Sequence, residues 1–383
     1  MKKRIAILGA TGSIGKSSLD IISRNIENFE MVLLAARSNR QKLDELSKQF
    51  PGAVCILTGD SDEKLLSAIG EIKPDITING ISGAAGLKPS IAAINSGSHL
   101  ALANKETIVM AGQLVMRLAK EKNVNIIPVD SEHSAIFHLI KGISHIKTAA
   151  PLNEKDDNNA DEIVSEVLLT ASGGPFRNLQ IHEMEKVTVE DALTHPTWNM
   201  GPKITIDSAS MANKGLEIIE ACVFFKMPPE KIKVVIHPQS IVHSMIRLRN
   251  GVIYAQLSKP DMRHPIHDAI YWPCAAPLSL ESVSFDSLTL EFFKPDVEKF
   301  PMLTLAQNAA KQGALYPCAY NAANEIAVEA FINKKIKFTD IPKITEKVLQ
   351  NDWSGDCMCL ESVLKADSEA RLKAISFCKR GSL

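Results

Sequence analysis

The sequence predicts an α/β fold that opens with a doubly wound parallel sheet, continues into a mixed α+β part and closes in helices. Three observations carry that expectation. Over the first 140 residues, six short β-branched runs alternate with amphipathic stretches, the pattern of parallel strands joined by crossover helices. Past about Ile143 the pattern changes to strands of mixed character broken by loops, and from Thr304 onward the apolar spacing becomes helical. At 383 residues the chain also exceeds what one hydrophobic core usually serves, so several domains are expected.

The predicted strands of the first part are Ile5 to Leu8, Met31 to Ala35, Val54 to Leu57, Asp75 to Asn79, Leu100 to Ala103 and Ile126 to Val129. Helical spacing runs through Ile14, Leu19 and Ile22, then Leu43, Leu46 and Phe50, with breaks at Pro51-Gly52 and Lys73-Pro74. Asn153 to Glu162 is polar and acidic, a stretch no core could bury, and it marks a boundary or an exposed loop. Beyond it, strands are expected at Val164 to Thr170, Lys203 to Ile206, Lys233 to His237, Ser244 to Leu248 and Val252 to Leu257, with a hairpin turn at Arg249-Asn250-Gly251. Pro260 to Pro301 shows strand and turn signals without helical spacing and reads as a connecting arm. Helices follow around Ala306 to Ala310 and Asn321 to Asn333. The expected division is 1–145, 146–259, 260–302 and 303–383.

Charge and composition exclude several classes of function. The 43 Lys and Arg balance 44 Asp and Glu to a net charge of -1, so the chain has no basic field with which to hold nucleic acid or a membrane surface. No window approaches the ~20 uninterrupted apolar residues of a membrane span. The apolar run after Met1-Lys2-Lys3-Arg4 stops at Gly9, too short for a signal peptide, and seven cysteines without a CxxC pair fit reduced thiols. The expected location is the cytoplasm.

Directly after the first strand comes Gly9-Ala10-Thr11-Gly12-Ser13-Ile14-Gly15. Glycines there permit a tight turn and close backbone approach to a pyrophosphate at a helix N-terminus, which makes this a Rossmann-like dinucleotide loop rather than merely a tight turn. The second strand ends in Arg37-Ser38-Asn39-Arg40 instead of an acidic residue. Basic groups there suit the 2′-phosphate of NADP, the alternative being a solvated charge cluster. At the end of the sixth strand, Asp130-Ser131-Glu132 sets two carboxylates two residues apart. Extended, the pair would chelate a hard divalent cation once a third carboxylate joined it; helical, it would complement a helix dipole.

Three later stretches are dense in small polar donors: Thr170 to Arg177, Thr194 to Gly201 and Asp207 to Glu217. Backbone amides of Gly-Gly, Ser hydroxyls, an Asn amide and a Lys ammonium are what the acceptor-only oxygens of a phosphate monoester require, so a sugar phosphate is the indicated ligand. The alternatives are ordinary turns, a core Trp on a Pro-kinked loop, and a capped helix.

GATGSIG (9–15), LANKE (102–106), VDSEH (129–133), ASGGPFR (171–177), HPTWNMG (195–201), DSASMANKGLE (207–217) and NAANE (321–325) together resemble the 1-deoxy-D-xylulose 5-phosphate reductoisomerase family over nearly the whole chain. The resemblance implies an NADP-dependent oxidoreductase using NADPH and a divalent cation (Mg, Mn or Co). It implies the conversion of 1-deoxy-D-xylulose 5-phosphate into 2-C-methyl-D-erythritol 4-phosphate, in the methylerythritol phosphate route to isoprenoids. It implies metal ligands Asp130, Glu132 and Glu217, and a phosphate-binding set of Ser172, His195, Ser208, Asn213 and Lys214. Lys105 and Ser131 are similar to residues touching the substrate's hydroxyl and carbonyl end, and Lys105 joins the three carboxylates in the implied catalytic set. Trp198 and Met200 are similar to a flap over the substrate. The implied cofactor contacts are Thr11, Gly12, Ser13, Ile14, Ala36, Arg37, Ser38, Asn104, Glu106, Gly201 and Met262. Fosmidomycin-type inhibitors and a homodimer are implied as well.

A cation chelated by an α-hydroxyketone would act as Lewis acid and template, and would leave no need for a protein nucleophile. The rival enzyme reading is a semialdehyde or homoserine-type NADP dehydrogenase, active without metal. The rival outside enzymes is a nucleotide-sensing regulator, which the presence of all three carboxylates disfavours.

Overall fold

The computed structural model describes residues 2–59, 61–143, 163–198 and 200–379. The polar stretch at 153–162 and Asn199 of the predicted flap lie outside the described residues. The chain divides into two compact units, one of residues 1–131 with 261–280 and the other of 132–260 with 281–383.

The first unit is the predicted doubly wound sheet. Strands β1 (Lys3–Leu8), β2 (Phe29–Ala36), β3 (Val54–Leu57), β4 (Ile76–Asn79), β5 (His99–Leu102) and β6 (Ile126–Pro128) are all parallel, in the order β3-β2-β1-β4-β5-β6. Helices α1 (Ser13–Arg24), α2 (Arg40–Gln49), α3 (Glu63–Ile72), α4 (Leu87–Asn95) and α5 (Lys105–Glu121) supply crossovers between them. Ile5 to Leu8 are entirely buried, as a central strand covered on both faces requires. The strand order reverses between β1 and β4. Ligands of such sheets bind there, beyond the carboxyl ends of the strands, and the Gly9 loop leaves β1 at that point.

Beyond β6 the chain enters α6 (Ser131–Ile143) at once. The extended Asp-x-Glu reading is therefore corrected: Glu132 sits in the first turn of a helix, where its charge also complements the dipole.

The second unit holds a four-stranded mixed sheet, β10-β9-β7-β8, of β7 (Val164–Ala171), β8 (Ile232–Ile236), β9 (Val242–Leu248) and β10 (Ile253–Leu257). The predicted hairpin joins β9 to β10, with Gly251 at φ 87 and its N–H donated to Leu248 O. Lys203 to Ile206 is not the expected strand. It lies in α8 (Pro202–Ala209), which follows the single-turn α7 (Val189–Ala192) and precedes α9 (Ala212–Phe224). Gly201 caps α8 and Pro202 occupies its first turn, where proline's fixed φ favours a helix start over the β-branched alternation that follows.

The segment read as a helix-free arm also needs correction, because Arg263–Tyr271 forms α10. Pro265 sits in its first turn, where a missing N–H costs nothing. Lys3 Nζ donates to carbonyls at the end of α10, those of Ile270 (3.2 Å) and of the capping Trp272 (3.3 Å), and Tyr271 packs edge-on to Phe29 at 5.0 Å. These contacts tie the segment to the first unit. Helices α11 (Met302–Gln312), α12 (Tyr316–Ile332), α13 (Asp340–Leu349) and α14 (Leu360–Lys379) complete the second unit, with α12 packed against the other three.

Candidate active site

In the first unit the site is made of backbone. Gly9 has φ +85, and a Cβ there would come within 2.8 Å of Gly80 O; at Gly15 it would lie 2.4 Å from Ala10 O. Only glycine lets the β1 loop, the β4 loop and the start of α1 close on one another, which leaves the backbone around Thr11 to Ile14 bare at a helix N-terminus. Gly12 is the N-cap of α1 and brings no side chain to the first turn, and its own N–H donates to Gly9 O at 3.0 Å.

The β4 loop escaped the sequence reading. Asn79 is buried, with its amide donating to Gly86 O (2.9 Å) and Ser90 Oγ (2.7 Å) and its oxygen accepting from Ile81 N (3.1 Å). Asn104 braces the same loop by donating to Ile81 O (2.6 Å) and Gly83 O (2.9 Å), while its oxygen caps α5 through Thr107 N. Glu106 is buried beside it, 3.0 Å from the Asn104 amide. The signal was present as Asn79-Gly80 followed by Gly83 and Gly86, a second glycine-rich turn at a strand end.

Arg37 and Ser38 are exposed just past β2, and Ala36 is buried within it. Met262 caps α10. Its neighbour Arg263 spans Asp261 (Nη2 to Oδ2, 2.6 Å) and Asp20 of α1 (Nη1 to Oδ2, 3.1 Å), which fixes Met262 relative to the helix of the glycine loop. Lys105, buried at the start of α5, pairs with Asp130 at 2.5 Å.

In the second unit the site is made of side chains from distant segments. Glu132 and Glu217 converge on Lys214, whose Nζ lies 2.8 Å from Glu132 Oε1 and also pairs with Glu217 Oε2. Burial pulls the Lys214 pKa down, but the two carboxylates more than offset it and hold it above the ordinary 10.5. Asn213 Nδ2 donates to Glu217 Oε1 at 2.6 Å. The carboxylates of Glu132 and Glu217 offer oxygens within 4.8 Å of each other, as do those of Asp130 and Glu132, which are separated only by Ser131. An all-oxygen, strongly anionic donor set of this kind fits a hard divalent cation and not a soft one.

A second cluster gathers three of the predicted motifs. His195 Nε2 lies 3.1 Å from both Ser172 Oγ and Ser208 Oγ. Its Nδ1 accepts from Thr197 N (3.1 Å) and Trp198 N (2.8 Å), so the proton of the neutral ring is on Nε2, aimed at the two hydroxyls. Burial, then the Arg177 guanidinium, hold the His195 pKa below 6.5. Gly173 (φ +84) and Gly174 (φ +67) turn the chain beside them, and a Cβ on Gly174 would meet Ser208 O at 2.8 Å. The glycines thus bring the end of β7 against the end of α8. Trp198 and Met200 are half-buried, with the Trp198 ring 6.5 Å from His243. The structure places Asn213 and Lys214 with the carboxylates, whereas Ser172, His195 and Ser208 form a group of their own.

Models of the 1-deoxy-D-xylulose 5-phosphate reductoisomerase family match residues 5–71 and 60–112, and its C-terminal domain models match 126–225 and 257–373. The reductoisomerase of Pelodictyon phaeoclathratiforme is 46% identical over 395 residues, covering 98% of this chain and 99% of its own. The solved reductoisomerase of Zymomonas mobilis in complex with NADPH superposes with a TM-score of 0.88 at 39% identity, over 99% and 100% of the two chains. A solved DOX-P reductoisomerase in complex with NADPH, fosmidomycin and magnesium gives 0.87 at 37% identity, over 98% of each. The chain belongs to the 1-deoxy-D-xylulose 5-phosphate reductoisomerase family of NADP-dependent oxidoreductases.

Proposed function

We propose that this chain converts 1-deoxy-D-xylulose 5-phosphate into 2-C-methyl-D-erythritol 4-phosphate with NADPH and a divalent cation, in isoprenoid precursor synthesis. The observation that carries this reading is the joining of Glu132, Lys214 and Glu217 into one charge cluster, together with the gathering of Ser172, His195 and Ser208 into a hydroxyl and imidazole group. Identification of the product by NMR tests it: 2-C-methyl-D-erythritol 4-phosphate is expected, and recovery of unrearranged sugar phosphate would count against it.

Asp130, Glu132 and Glu217 would hold the cation, which when bound supplies Lewis acidity toward the substrate's ketone and hydroxyl oxygens. The Gly9 to Gly15 loop would hold the pyrophosphate of NADPH, the source of hydride, with Met262 bordering the nicotinamide and Arg37 and Ser38 meeting the 2′-phosphate. In this reading Ala36, Asn104, Glu106 and Gly201 complete the cofactor set.

The chain's own work is binding and orientation. Ser172, Ser208 and the Nε2–H of His195 donate to phosphate oxygens, and that binding energy, remote from the reacting carbons, orients them. Lys214 and Asn213, which lie with the carboxylates, would serve the same phosphate. Lys105 and Ser131 would meet the substrate's polar end, with the Lys105 ammonium already oriented by Asp130. Trp198 and Met200 would close as a flap that excludes water.

Our division of labour is cofactor binding in 1–145, catalysis in 146–259, a connecting arm in 260–302 and helical support in 303–383. A homodimer is our proposal for the assembly, supported by the exposed edge strand β10, where Ile253 and Tyr254 are 43% and 42% exposed. Sedimentation at the monomer mass would contradict it. No helix among the described residues is long and apolar enough to cross a membrane. We place the enzyme in the cytoplasm on its cysteine usage, which cell fractionation tests.

A further inference from the structure

Asn321 to Glu325 is a motif for which the reaction, as described above, has no use. It lies within α12, and both of its flanking asparagines, Asn321 and Asn324, are fully buried. Asn324 Nδ2 donates to Asp207 Oδ1 at 2.8 Å. Asp207 is itself 1% exposed, and its other oxygen takes Lys203 Nζ at 2.9 Å from one turn earlier in α8. A buried carboxylate is therefore gripped at both oxygens, once by its own helix and once by the C-terminal helices. Releasing Lys203 would leave the buried carboxylate charge uncompensated, and releasing Asn324 would leave one of its oxygens without a hydrogen-bond donor.

The residue after Asp207 is Ser208. Its hydroxyl lies 3.1 Å from His195 Nε2, and its carbonyl is the group that Gly174 must approach without a Cβ. Asp207 is thus where α12 can set the position of the last turn of α8. Helix α12 is held in turn from α14, because Arg371 bridges Glu325 (2.6 Å) and Asp367 (2.8 Å), while Asn321 Nδ2 donates to Glu325 Oε1 at 3.2 Å. One side of the motif grips α8 and the other anchors the helix that does the gripping.

We propose that Asn324 is a positioning residue for the substrate's phosphate, acting through Asp207 on the Ser208 hydroxyl. The proposal rests on the reading of Ser172, His195 and Ser208 as the phosphate-binding group. N324A should raise the KM for deoxyxylulose phosphate and the Kd for fosmidomycin about tenfold, the scale of one charge-assisted hydrogen bond, while kcat and the Kd for NADPH stay within about twofold. The exchange D207N/N324D, which restores an amide-to-carboxylate bond in reverse, should recover most of that loss. If N324A does not fold, N324S carries the same test.

S208A separates this proposal from the reading beneath it. A raised KM in S208A, with the N324A/S208A double variant no worse than S208A alone, supports the positioning role. S208A impaired and N324A at the wild-type KM, or fully additive effects of the two, overturns the role of Asn324 alone. S208A at the wild-type KM overturns the phosphate reading and the role of Asn324 with it.

Discussion

The two units of this molecule build binding sites from different material. In the first, the proposed recognition is by backbone, and the informative residues are those that lack a side chain: Gly9 and Gly15, each needed where chain meets chain. In the second, the proposed recognition falls to ionisable and hydroxyl side chains, residues 132, 214 and 217 in one cluster and 172, 195 and 208 in another, each assembled only by folding. A backbone site tolerates change in the side chains around it, whereas a side-chain site concentrates its function in a few groups. Single substitutions should therefore have large effects in the second unit and small ones at the exposed rim of the first.

The largest effect is expected from Glu217→Gln. It removes one of the three proposed anionic ligands and leaves the buried Lys214 ammonium with one carboxylate fewer, so several kcal/mol of transition-state stabilisation should go, about 10³-fold or more in kcat/KM, together with weaker Mg or Mn binding. An E217Q enzyme with unchanged metal dependence would reduce Glu217 to a helix residue. Next comes Lys214→Ala. A charge-assisted contact is worth roughly 1.5 to 3 kcal/mol, so substrate and fosmidomycin should both bind about 10- to 150-fold more weakly, and undiminished inhibition would exclude Lys214 from the phosphate site.

A smaller effect is expected from Trp198→Ala. The ring is half-buried, so a flap role predicts loss in kcat and KM with the Tm nearly unchanged, while a core role predicts about 3 to 5 kcal/mol of lost stability with normal kinetics. The smallest should come from the rim of the first unit. Arg37→Asp should shift the kcat/KM ratio of NADPH over NADH toward NADH by about two- to tenfold, as expected of an exposed charge in screening solvent, and an unchanged ratio would remove Arg37 from the 2′-phosphate site.

The same contrast explains what the sequence could disclose. The six strands of the first unit were legible because buried parallel strands write themselves as β-branched runs, and the Gly9 loop because its physics lies in consecutive residues. The donor-rich stretches at 170–177, 194–201 and 207–217 were legible as chemistry but not as geometry. Nothing in local spacing says that His195 stands between two serines while Lys214 turns to the carboxylates. Lys203 to Ile206 misled because β-branched alternation outweighed the helix start at Gly201-Pro202, and α10 stayed hidden behind Pro265. Asn324 and Asp207 were beyond reach for another reason. Their pairing spans 117 positions, and a buried amide next to a buried carboxylate has no periodic signature.

We propose that NADPH-dependent reduction, assigned to the first unit, requires the cation held by the proposed carboxylate set. NADPH oxidation followed on addition of deoxyxylulose phosphate, with Mg present and then with excess chelator, tests it most directly. NADPH consumption should stop when the cation is removed and return when it is restored. Full activity in excess chelator would contradict it, and would leave the carboxylates at 130, 132 and 217 without their assigned work.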